Sequence, residues 1–430
     1  MNRRRFLATS TFVVGAVVAQ AGLMQPAVAA GQRFAAPTGS GTACTSAAPC
    51  ALDTAVNGAT SFTEVIVASG TYNVGSTNLT QPSTVTNVNV HGVTGQPSPV
   101  INTTANIGLQ LLGTGARVAD LTIVQNGSQW GLNVFAANIV VERVTVRTNA
   151  QVACGLGYSG TARDLLCVTS ADNGTALDDT WGGGIGRLNV RNLTAVATGA
   201  GSYGINAEAT GINTDLDISA KNTIAMGTKA DIRASELPVN DTTSESDVNL
   251  TNSNYDLREE AGGGNVSDVG TVSTNQTVLP VFADTVAYHQ APSSPTVDKG
   301  ASDSLVGTTD LDGQPRKFGV AVDIGADEFV PDTTPPDVAL DHTPKHRTHK
   351  HKGSFTFHAS EPATFMCFVD KHAPVACSSP FKAKFKKSGK HTLTVSATDS
   401  AGNVDPTPAT YTWKVKKKKR HKHRPHHGHH

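Results

Sequence analysis

The sequence has little of what builds helical or aromatic-rich cores. Aromatic residues make up 5% of its 430 residues and only four are methionine, whereas 41 are glycine. Thr, Asn, Val and Ser are frequent instead, and this composition favours strands separated by turns. Because the chain is also longer than one hydrophobic core usually serves, we expect an all-β protein of two or three structural units.

Long apolar runs are missing after the N-terminus, so we expect no transmembrane segment in the mature chain. The N-terminus itself has the parts of an export signal: Arg3 to Arg5 are charged, Phe6 to Met24 is moderately apolar, and Ala27 to Ala29 is an A-x-A cleavage site. Its start resembles a twin-arginine signal. We predict a signal peptide over residues 1–30 and a secreted or extracellular protein, with or without attachment to the cell surface; the Sec and twin-arginine routes both stay open.

Neither charge is in excess overall, since 35 Lys and Arg balance 35 Asp and Glu. The balance hides a division: residues 31–330 carry 14 basic and 28 acidic residues, whereas residues 331–430 carry 18 and 7. The basic end predicts either a solvated tail or adhesion to extracellular polysaccharide or an anionic cell-wall polymer. No aromatic residue follows Trp413, so specific nucleic-acid recognition is not expected.

Paired C-x-x-C motifs are also missing, which argues against a structural metal site. The six cysteines form three local couples, and in an exported chain such couples predict disulfides, although six cysteines formally allow fifteen pairings. The candidate pairs are Cys44 with Cys50, Cys154 with Cys167, and Cys367 with Cys377.

A short pattern recurs every twenty-odd residues between residues 105 and 220. One column of the repeat is Gly followed by Leu or Ile, and the other is a strand triplet whose outer residues are apolar. The first column contains Gly108-Leu109, Gly131-Leu132, Gly155-Leu156 and Gly204-Ile205. The triplets of the second column begin at Leu121, Val144, Leu166, Leu193 and Leu216.

A strand of this kind buries its apolar face only if successive windings stack. Stacked windings hydrogen-bond as parallel sheets and align like residues in files along the axis. We therefore predict a single-stranded parallel β-helix of about ten coils over residues 60–330, preceded by an N-terminal segment and capping helix at residues 31–59. The five triplet leaders should form one interior file. A propeller would need a longer repeat, and a leucine-rich repeat a denser leucine consensus.

The same region resembles the pectin lyase-like right-handed parallel β-helices of exported bacterial proteins. Glu64 to Tyr72, an apolar strand that ends in G-T-Y, is similar to their first coil. Ser294 to Gly300, Thr309 to Arg316 and Val322 to Phe329 resemble the closing part of the choice-of-anchor Q group. The resemblance implies a right-handed β-helix on a secreted or surface protein.

Consecutive prolines at residues 335 and 336 mark a change of domain. We predict a Pro/His/Lys-rich linker at residues 331–352, a small β-sandwich at residues 353–415 that could begin near 335, and a basic His-rich tail at residues 416–430. Ser396 to Pro406 resembles bacterial immunoglobulin-like modules that carry an A-T-D-x-A-G-N turn. This resemblance implies an immunoglobulin-like sandwich.

Acidic motifs give weak candidates for a hydrolase site. Asn213 to Asp215 resembles the N-T-D motif of polygalacturonases, and the pair Asp178 and Asp179 resembles their paired aspartates. The two motifs occur in the reverse order here, and the family's G-H-G and R-I-K motifs are missing. This departure puts a carboxylate pair for glycoside hydrolysis in doubt.

A polysaccharide lyase is the other enzymatic alternative. It would hold Ca²⁺ between carboxylates and use an arginine as the base. The candidates are Asp172, Asp178, Asp179 and Asp217 for the cation and Arg187 or Arg191 for the base. Apart from Ca²⁺ in such a lyase, no cofactor is expected.

Trp130, Trp181 and Tyr203 lie near the same coils and are candidates for stacking on sugar rings. We therefore expect an exported, non-catalytic β-helix protein that binds or is displayed toward extracellular polysaccharide, with the basic immunoglobulin-like end as an anchor. The lyase or glycoside hydrolase and a purely structural spacer stay open as alternatives.

Overall fold

The computed structural model describes residues 31–237, 244–262, 264–268, 274–385 and 387–417. The predicted signal peptide and most of the predicted basic tail therefore lie outside the described residues. The chain divides between Phe329 and Val330 into two compact units, called here the β-helix unit and the C-terminal unit. No helix in the described ranges is long and apolar enough to cross a membrane.

Eighteen strands of the β-helix unit pair in parallel, which confirms the predicted parallel β-helix. Most of them alternate apolar and polar residues, so that one face of each strand is buried. The strands are β1 (Gly31–Ala35), β2 (Thr63–Val67), β3 (Thr71–Gly75), β4 (Leu79–Gln81), β5 (Asn89–Gly92), β6 (Val100–Thr103), β7 (Ile107–Leu111), β8 (Arg117–Gln125), β9 (Trp130–Thr148), β10 (Val152–Thr169), β11 (Thr175–Trp181), β12 (Gly184–Ala197), β13 (Tyr203–Thr210), β14 (Thr214–Met226), β15 (Ala230–Leu237), β16 (Glu245–Thr251), β17 (Arg258–Ala261) and β18 (Asn265–Asp268).

Each coil has three sides, and each side belongs to one parallel sheet. Sheet 1 contains β1, β2, β5, β8, β9, β10, β12, β14, β16 and β18. Sheet 2 contains β3, β6 and the C-terminal parts of β8, β9, β10, β12 and β14. Sheet 3 contains β4, β7, the N-terminal parts of β9 and β10, and then β11, β13, β15 and β17. The long strands bend at the corners and so serve more than one sheet.

The interior file of sheet 2 differs from the sequence prediction at two of its five members. Its members are Leu121, Val144, Leu165, Leu193 and Thr223. Leu166 pairs with Thr145 instead, and Leu216 lies on sheet 1 beside Gly186, so both were assigned to the wrong file. The coils differ in length, and a slip of one residue moves a side chain to the opposite face of its strand.

The interior file of sheet 3 also differs from the sequence prediction, which was the column of Gly-Leu pairs. Leu109, Leu132, Cys154, Leu177 and Ile205 follow one another there. Leu156, which the repeat had placed in this file, pairs with Val134. Both files contribute to one fully buried core.

All three predicted disulfides are present. The bond between Cys154 and Cys167 has a location that the sequence did not reveal. Cys154 belongs to the interior file of sheet 3, whereas Cys167 follows Val146 on the inner side of sheet 2, and both are fully buried. This disulfide therefore crosses the interior of a coil and ties two of its walls together.

The corner between sheets 1 and 2 is a stack of residues with positive φ. They are Asp120, Arg143, Asp164, Asn192, Asn222 and Asn252. Asn and Asp tolerate this conformation because their short side chains can hydrogen-bond locally. The Asn222 amide donates to Asn192 Oδ1 (2.9 Å), and the Asn192 amide donates to Asp164 Oδ1 (2.8 Å). A polar ladder thus runs along this corner.

Residues 290–329, the closing segment, fold back along that ladder without a strand or helix of their own. The Ala301 amide donates to Asn222 Oδ1 (2.8 Å), and the Asn192 side chain donates to the Val306 carbonyl (2.8 Å). Gly325 docks on sheet 2 with φ +116°, and a Cβ there would lie 2.8 Å from Ile224 Cδ1. Only glycine fits that combination of backbone conformation and close contact.

The first coil begins earlier than the predicted boundary at residue 60, because β1 pairs with β2 in sheet 1. The short helix α1 (Leu52–Asn57) buries Leu52, Ala55 and Val56 against the core. Arg33 donates to the Thr54 and Ala55 carbonyls near the end of α1 and so satisfies groups that a helix terminus leaves unpaired. The N-terminal segment is therefore part of the β-helix unit's core.

The C-terminal unit is a β-sandwich of a three-stranded and a five-stranded sheet around one core. The first sheet contains β19 (Val338–His342), β21 (Lys352–Ala359) and β24 (Phe381–Lys384), and the second contains β20 (Arg347–Thr348), β22 (Ala363–Val369), β23 (Val375–Cys377), β25 (Gly389–Asp399) and β26 (Ala409–Val415). β19 and β20 fall inside the stretch predicted as a linker, because β19 pairs with β21. The immunoglobulin-like assignment stays a prediction.

Candidate functional site

The outer face of sheet 1 and the returning closing segment enclose a series of cavities. Three of them have volumes of about 970, 510 and 350 Å³. The first two share Asp120 and Arg143, and the second and third share Arg117 and Glu142, so the three cavities adjoin one another. Together we call them the charged groove.

Charged side chains follow the coils in register along sheet 1, and of these Glu142, Arg163 and Arg191 line the groove. Glu142 pairs in register with Arg163, Arg163 with Arg191, and Arg191 with Lys221, all on sheet 1. Neighbouring rungs of a sheet lie about 4.8 Å apart. Arg163, Arg191 and Lys221 therefore form a regular cationic row along the axis.

Glu142 is the anionic centre of the groove. Arg163 Nε donates to Glu142 Oε2 (2.9 Å), Arg117 donates to Oε1, and Arg143 Nη2 lies 3.6 Å from Oε1. Burial raises the pKa of Glu142, but the hydrogen bond from Arg163 and the three positive charges outweigh it, so the pKa is lowered. Glu142 therefore stays ionised and cannot serve as a proton donor near neutral pH.

Asp303 of the closing segment holds the other end of the cationic row. Arg191 Nε donates to Asp303 Oδ2 (2.9 Å), and Lys221 Nζ donates to the same oxygen (2.8 Å). Burial raises the pKa of Asp303. The hydrogen bonds from Lys221, the Leu305 amide and Arg191 outweigh that effect and lower the pKa to about 2. One carboxylate thus faces two cations, which leaves positive charge beside the groove, next to Arg191.

The predicted catalytic pair does not converge on a common point. Asp178 and Asp179 are consecutive on β11, so their side chains point to opposite faces of the strand. Asp178 is on the outer face, where it accepts hydrogen bonds from Asn206 Nδ2 (2.8 Å) and Thr180 Oγ1 (3.2 Å). Burial raises the pKa of Asp178 to about 6 despite these bonds. Its nine-tenths burial leaves little access for a polymer.

Asp179 points into the interior, beside Ala207 in register. It is fully buried, and neither carboxylate oxygen has a hydrogen-bond partner of normal geometry. Burial and the neighbouring charge of Asp178 raise its pKa well above the ordinary value, and the nearby Tyr158 amide offsets this only in part. A side chain enclosed in this way cannot reach an extended substrate.

The third catalytic candidate lies on a different sheet. Asp215 belongs to β14 on sheet 1, where Arg187 Nη1 donates to its Oδ1 (2.9 Å) and Asp217 lies 3.9 Å from Arg187 Nε. The hydrogen bond to Asp215 and the nearby carboxylates raise the pKa of Arg187. The carboxylate of Asp172 is elsewhere, on the turn before β11, and accepts from the Ala200 amide (2.9 Å). The predicted lyase candidates therefore do not form one cluster.

The three predicted aromatic residues are also separated. Trp130 and Tyr203 lie on one register row of sheet 3, with two intervening rungs, about 14 Å apart. Lys229 donates to the Tyr203 hydroxyl (2.6 Å), so this ring belongs to a charged cluster. Trp181 is at the far end of β11 and packs against Tyr158, with 4.5 Å between ring centroids and 49° between the ring planes. The structure brings Trp181 and Tyr158 together, but the three predicted aromatic residues do not form one cluster.

Two groups in the described ranges bring three metal-ligating side chains within 4.8 Å of one another, and neither contains a predicted catalytic residue. They are His289, Asp312 and Asp327 in the β-helix unit, and Asp332, Glu361 and Asp399 in the C-terminal unit. Hydrogen bonding to Asp312 raises the pKa of His289 to about 9, so His289 is a protonated partner of carboxylates at neutral pH.

No family model matches the chain, and no curated protein matches it. Among solved structures, the crystal structure of pectate lyase Pel9A is similar at 12% sequence identity, with a TM-score of 0.36; the match covers 69% of this chain and 96% of that chain.

Sequence reasoning missed the charged groove, although a signal was present. Arg117, Arg143, Arg163, Arg191 and Lys221 recur every 20 to 30 residues within residues 31–330, which contain only 14 basic residues. Such a recurrence predicts an outward-facing row once the coils are known to stack. The contacts of Asp303 with Arg191 and Lys221 could not be predicted from the sequence, because they depend on the path of the closing segment along the β-helix.

Proposed function

We propose that this is an exported protein that binds an extracellular acidic polysaccharide along the charged groove, and that its basic C-terminal unit retains it at the cell surface. The observation that carries the proposal is that Arg117, Arg143 and Arg163 line adjoining cavities along the charged groove. An extended polymer with an acidic group on each repeat matches a row of cations better than a compact ligand does. Arginine also forms paired hydrogen bonds with carboxylates.

The ionisation states of the carboxylates in and beside the groove favour binding over hydrolysis. Glycoside hydrolysis needs a protonated carboxyl beside an ionised one. The pKa values of Glu142 and Asp303 are lowered, and the raised pKa values of Asp178 and Asp179 belong to residues outside the groove. This arrangement supports recognition of the polymer without its cleavage.

The test uses the mature chain, residues 31–430, and immobilised polygalacturonate, with dextran as the neutral comparison. The variant Arg117→Gln/Arg163→Gln should weaken binding about tenfold, since two charge-assisted contacts of roughly 0.7 kcal/mol each are lost. The matched control is Lys229→Gln/Lys317→Gln, which removes two cations outside the groove and should change the dissociation constant less than twofold.

Two results would contradict the proposal. Equal weakening by both double variants would mean that only overall charge matters. New reducing or unsaturated ends, formed with or without Ca²⁺, would support a glycoside hydrolase or polysaccharide lyase instead, and their loss in Asp178→Ala or Asp215→Ala would locate that activity.

A further inference from the structure

The β-sandwich of the C-terminal unit has a groove of its own, with a volume of about 700 Å³. Two stretches enclose it: the segment from His342 to Lys350, and the paired strands β21 and β24. Its volume is within the range of ordinary ligand pockets. The basic side chains that line it are His342, Lys345, Lys350, Lys352, Lys382 and Lys384.

The strand register explains why these lysines face the same way. Lys352 lies directly opposite Lys384, and Ser354 lies opposite Lys382, in the antiparallel pair of β21 and β24. Alternate residues of a strand share a face, so these four side chains project together. Phe355 and Ala383 alternate with them on the opposite face and are buried in the sandwich core. The fold therefore holds three ammonium groups on one small patch.

Nothing in the described part of the unit neutralises this patch. The ion pairs in the described part of the C-terminal unit are His358 with Asp341 and His391 with Asp370. The groove lining contains no carboxylate. Like charges directly opposite one another on a ladder are destabilising. The repulsion between Lys352 and Lys384 is relieved when an anion binds between them.

We infer that this groove is a binding site for an anionic glycopolymer, whose repeated carboxylate or phosphate groups contact Lys350, Lys352, Lys382 and Lys384. The inference rests on the proposed surface retention and assigns it to a defined site rather than to the basic tail. A nucleic acid fits less well, because no aromatic side chain lines the groove to stack on bases. An extended polymer suits a channel that is open along two strands.

The experiment measures binding of the full mature chain to two probes, polygalacturonate for carboxylates and poly(glycerol phosphate) for phosphates. The groove variant is Lys350→Gln/Lys352→Gln/Lys382→Gln/Lys384→Gln. The matched control is Lys371→Gln/Lys387→Gln/Lys390→Gln/Lys414→Gln, which removes the same charge and also breaks a cross-strand lysine pair, Lys390 with Lys414. A chain that ends at Lys417 tests the contribution of the tail.

The groove variant should bind at least one of the two probes tenfold or more weakly, whereas the control and the shortened chain should change less than threefold. The probe that loses affinity identifies the anion. Equal losses in groove variant and control, or loss only in the shortened chain, would overturn the inference. Tighter binding of single-stranded DNA than of both glycopolymers, with the same dependence on the groove lysines, would also overturn it.

A second measurement does not depend on the folding of a variant. The wild-type chain is acetylated with and without the probe, and the modified lysines are identified by mass spectrometry. Lys352, Lys382 and Lys384 should be protected at least fivefold more than Lys390 and Lys414; uniform protection would contradict a defined site. The β-helix variant Arg117→Gln/Arg163→Gln should leave this protection unchanged, so the experiment distinguishes failure of the charged groove in the β-helix unit from failure of this site.

Discussion

Arg316 Nη2 donates to Asp164 Oδ1 across 2.7 Å, and the two residues are 152 positions apart in the sequence. Their side chains are 2% and 1% exposed, so this is a buried ion pair that joins the closing segment to the corner of the β-helix. The same guanidinium donates to the Gly325 and Ala326 carbonyls and so holds the backbone that docks on sheet 2.

Arg316→Met should lower the free energy of unfolding of the β-helix unit by about 3–5 kcal/mol, because it leaves Asp164 buried without its cation. Burial already raises the pKa of Asp164, with Arg316 offsetting only part of that effect. Urea unfolding measures the change. The double variant Arg316→Met/Asp164→Asn should cost less than the single variant, since no unpaired carboxylate remains. A loss under 1 kcal/mol in the single variant would be inconsistent with this role.

Asp179→Ala should stabilise the β-helix unit by about 1–3 kcal/mol at pH 8, because it removes a buried carboxyl whose burial the nearby Tyr158 amide offsets only in part. The pKa of Asp179 is raised in the folded state, so its ionisation costs stability as the pH rises through that pKa. The gain should therefore be smaller at pH 5 than at pH 8, as measured by urea unfolding at both values. Asp178→Ala is the control and should destabilise, since Asn206 loses its acceptor. A stability loss in Asp179→Ala at pH 8 would contradict the argument.

The disulfides should differ in their reactivity toward dithiothreitol under native conditions. Cys377 is partly exposed, whereas Cys154 and Cys167 are fully buried inside the coil. Differential alkylation should show the Cys367 to Cys377 bond reduced first and the Cys154 to Cys167 bond last. The variant Cys154→Ala/Cys167→Ala should lose about 3 kcal/mol of unfolding free energy, as expected for a loop of this size. Early reduction of the interior bond would mean that the coil opens locally.

Asp303 should anchor the closing segment at neutral pH and release it in acid. Its folded pKa, about 2, is below the unfolded value, so the stabilisation is present above about pH 4 and is lost as the pH falls toward 2. Hydrogen exchange of residues 301–306, corrected for intrinsic rates, should therefore lose protection between pH 5 and 2.5. Asp303→Asn should show weaker protection at pH 5, by about 1 kcal/mol or less, and little further change in acid. Identical pH profiles for the two proteins would rule out this anchor.

The acidic motifs near residues 310 and 323 to 328 have a structural explanation that the sequence alone did not provide. Asp310 accepts from the Gln314 and Glu328 amides, and Asp323 accepts from the Asp298 and Phe329 amides. A segment without strands or helices must satisfy its backbone groups with side chains. Burial raises the pKa of Asp327 and of Glu328 to about 7. Asp310 and Asp323 thus stabilise the closing segment by accepting hydrogen bonds from its own backbone amides.

The candidate site was less predictable than the fold for a specific reason. Asp178, Asp179 and Asp215 matched motifs, but motif spacing does not tell which face of a strand a residue occupies, and each coil has three sides. Counting at a constant period misplaced Leu166 and Leu216, since the coils vary in length. The groove depends further on Asp303 and the closing segment, more than a hundred positions from Arg163 and Arg191.

The sequence by itself determined the parallel stacking of the coils, the pairing of neighbouring cysteines and the acidic and basic halves, because these follow from local alternation, short separations and composition. Only the tertiary structure decided which coil residues share a file, that Cys154 and Cys167 span the interior, and that Asp303 meets Arg191 and Lys221. Those relationships depend on coil length and on the path of a segment that lacks regular structure, and neither quantity is encoded in any short stretch of sequence.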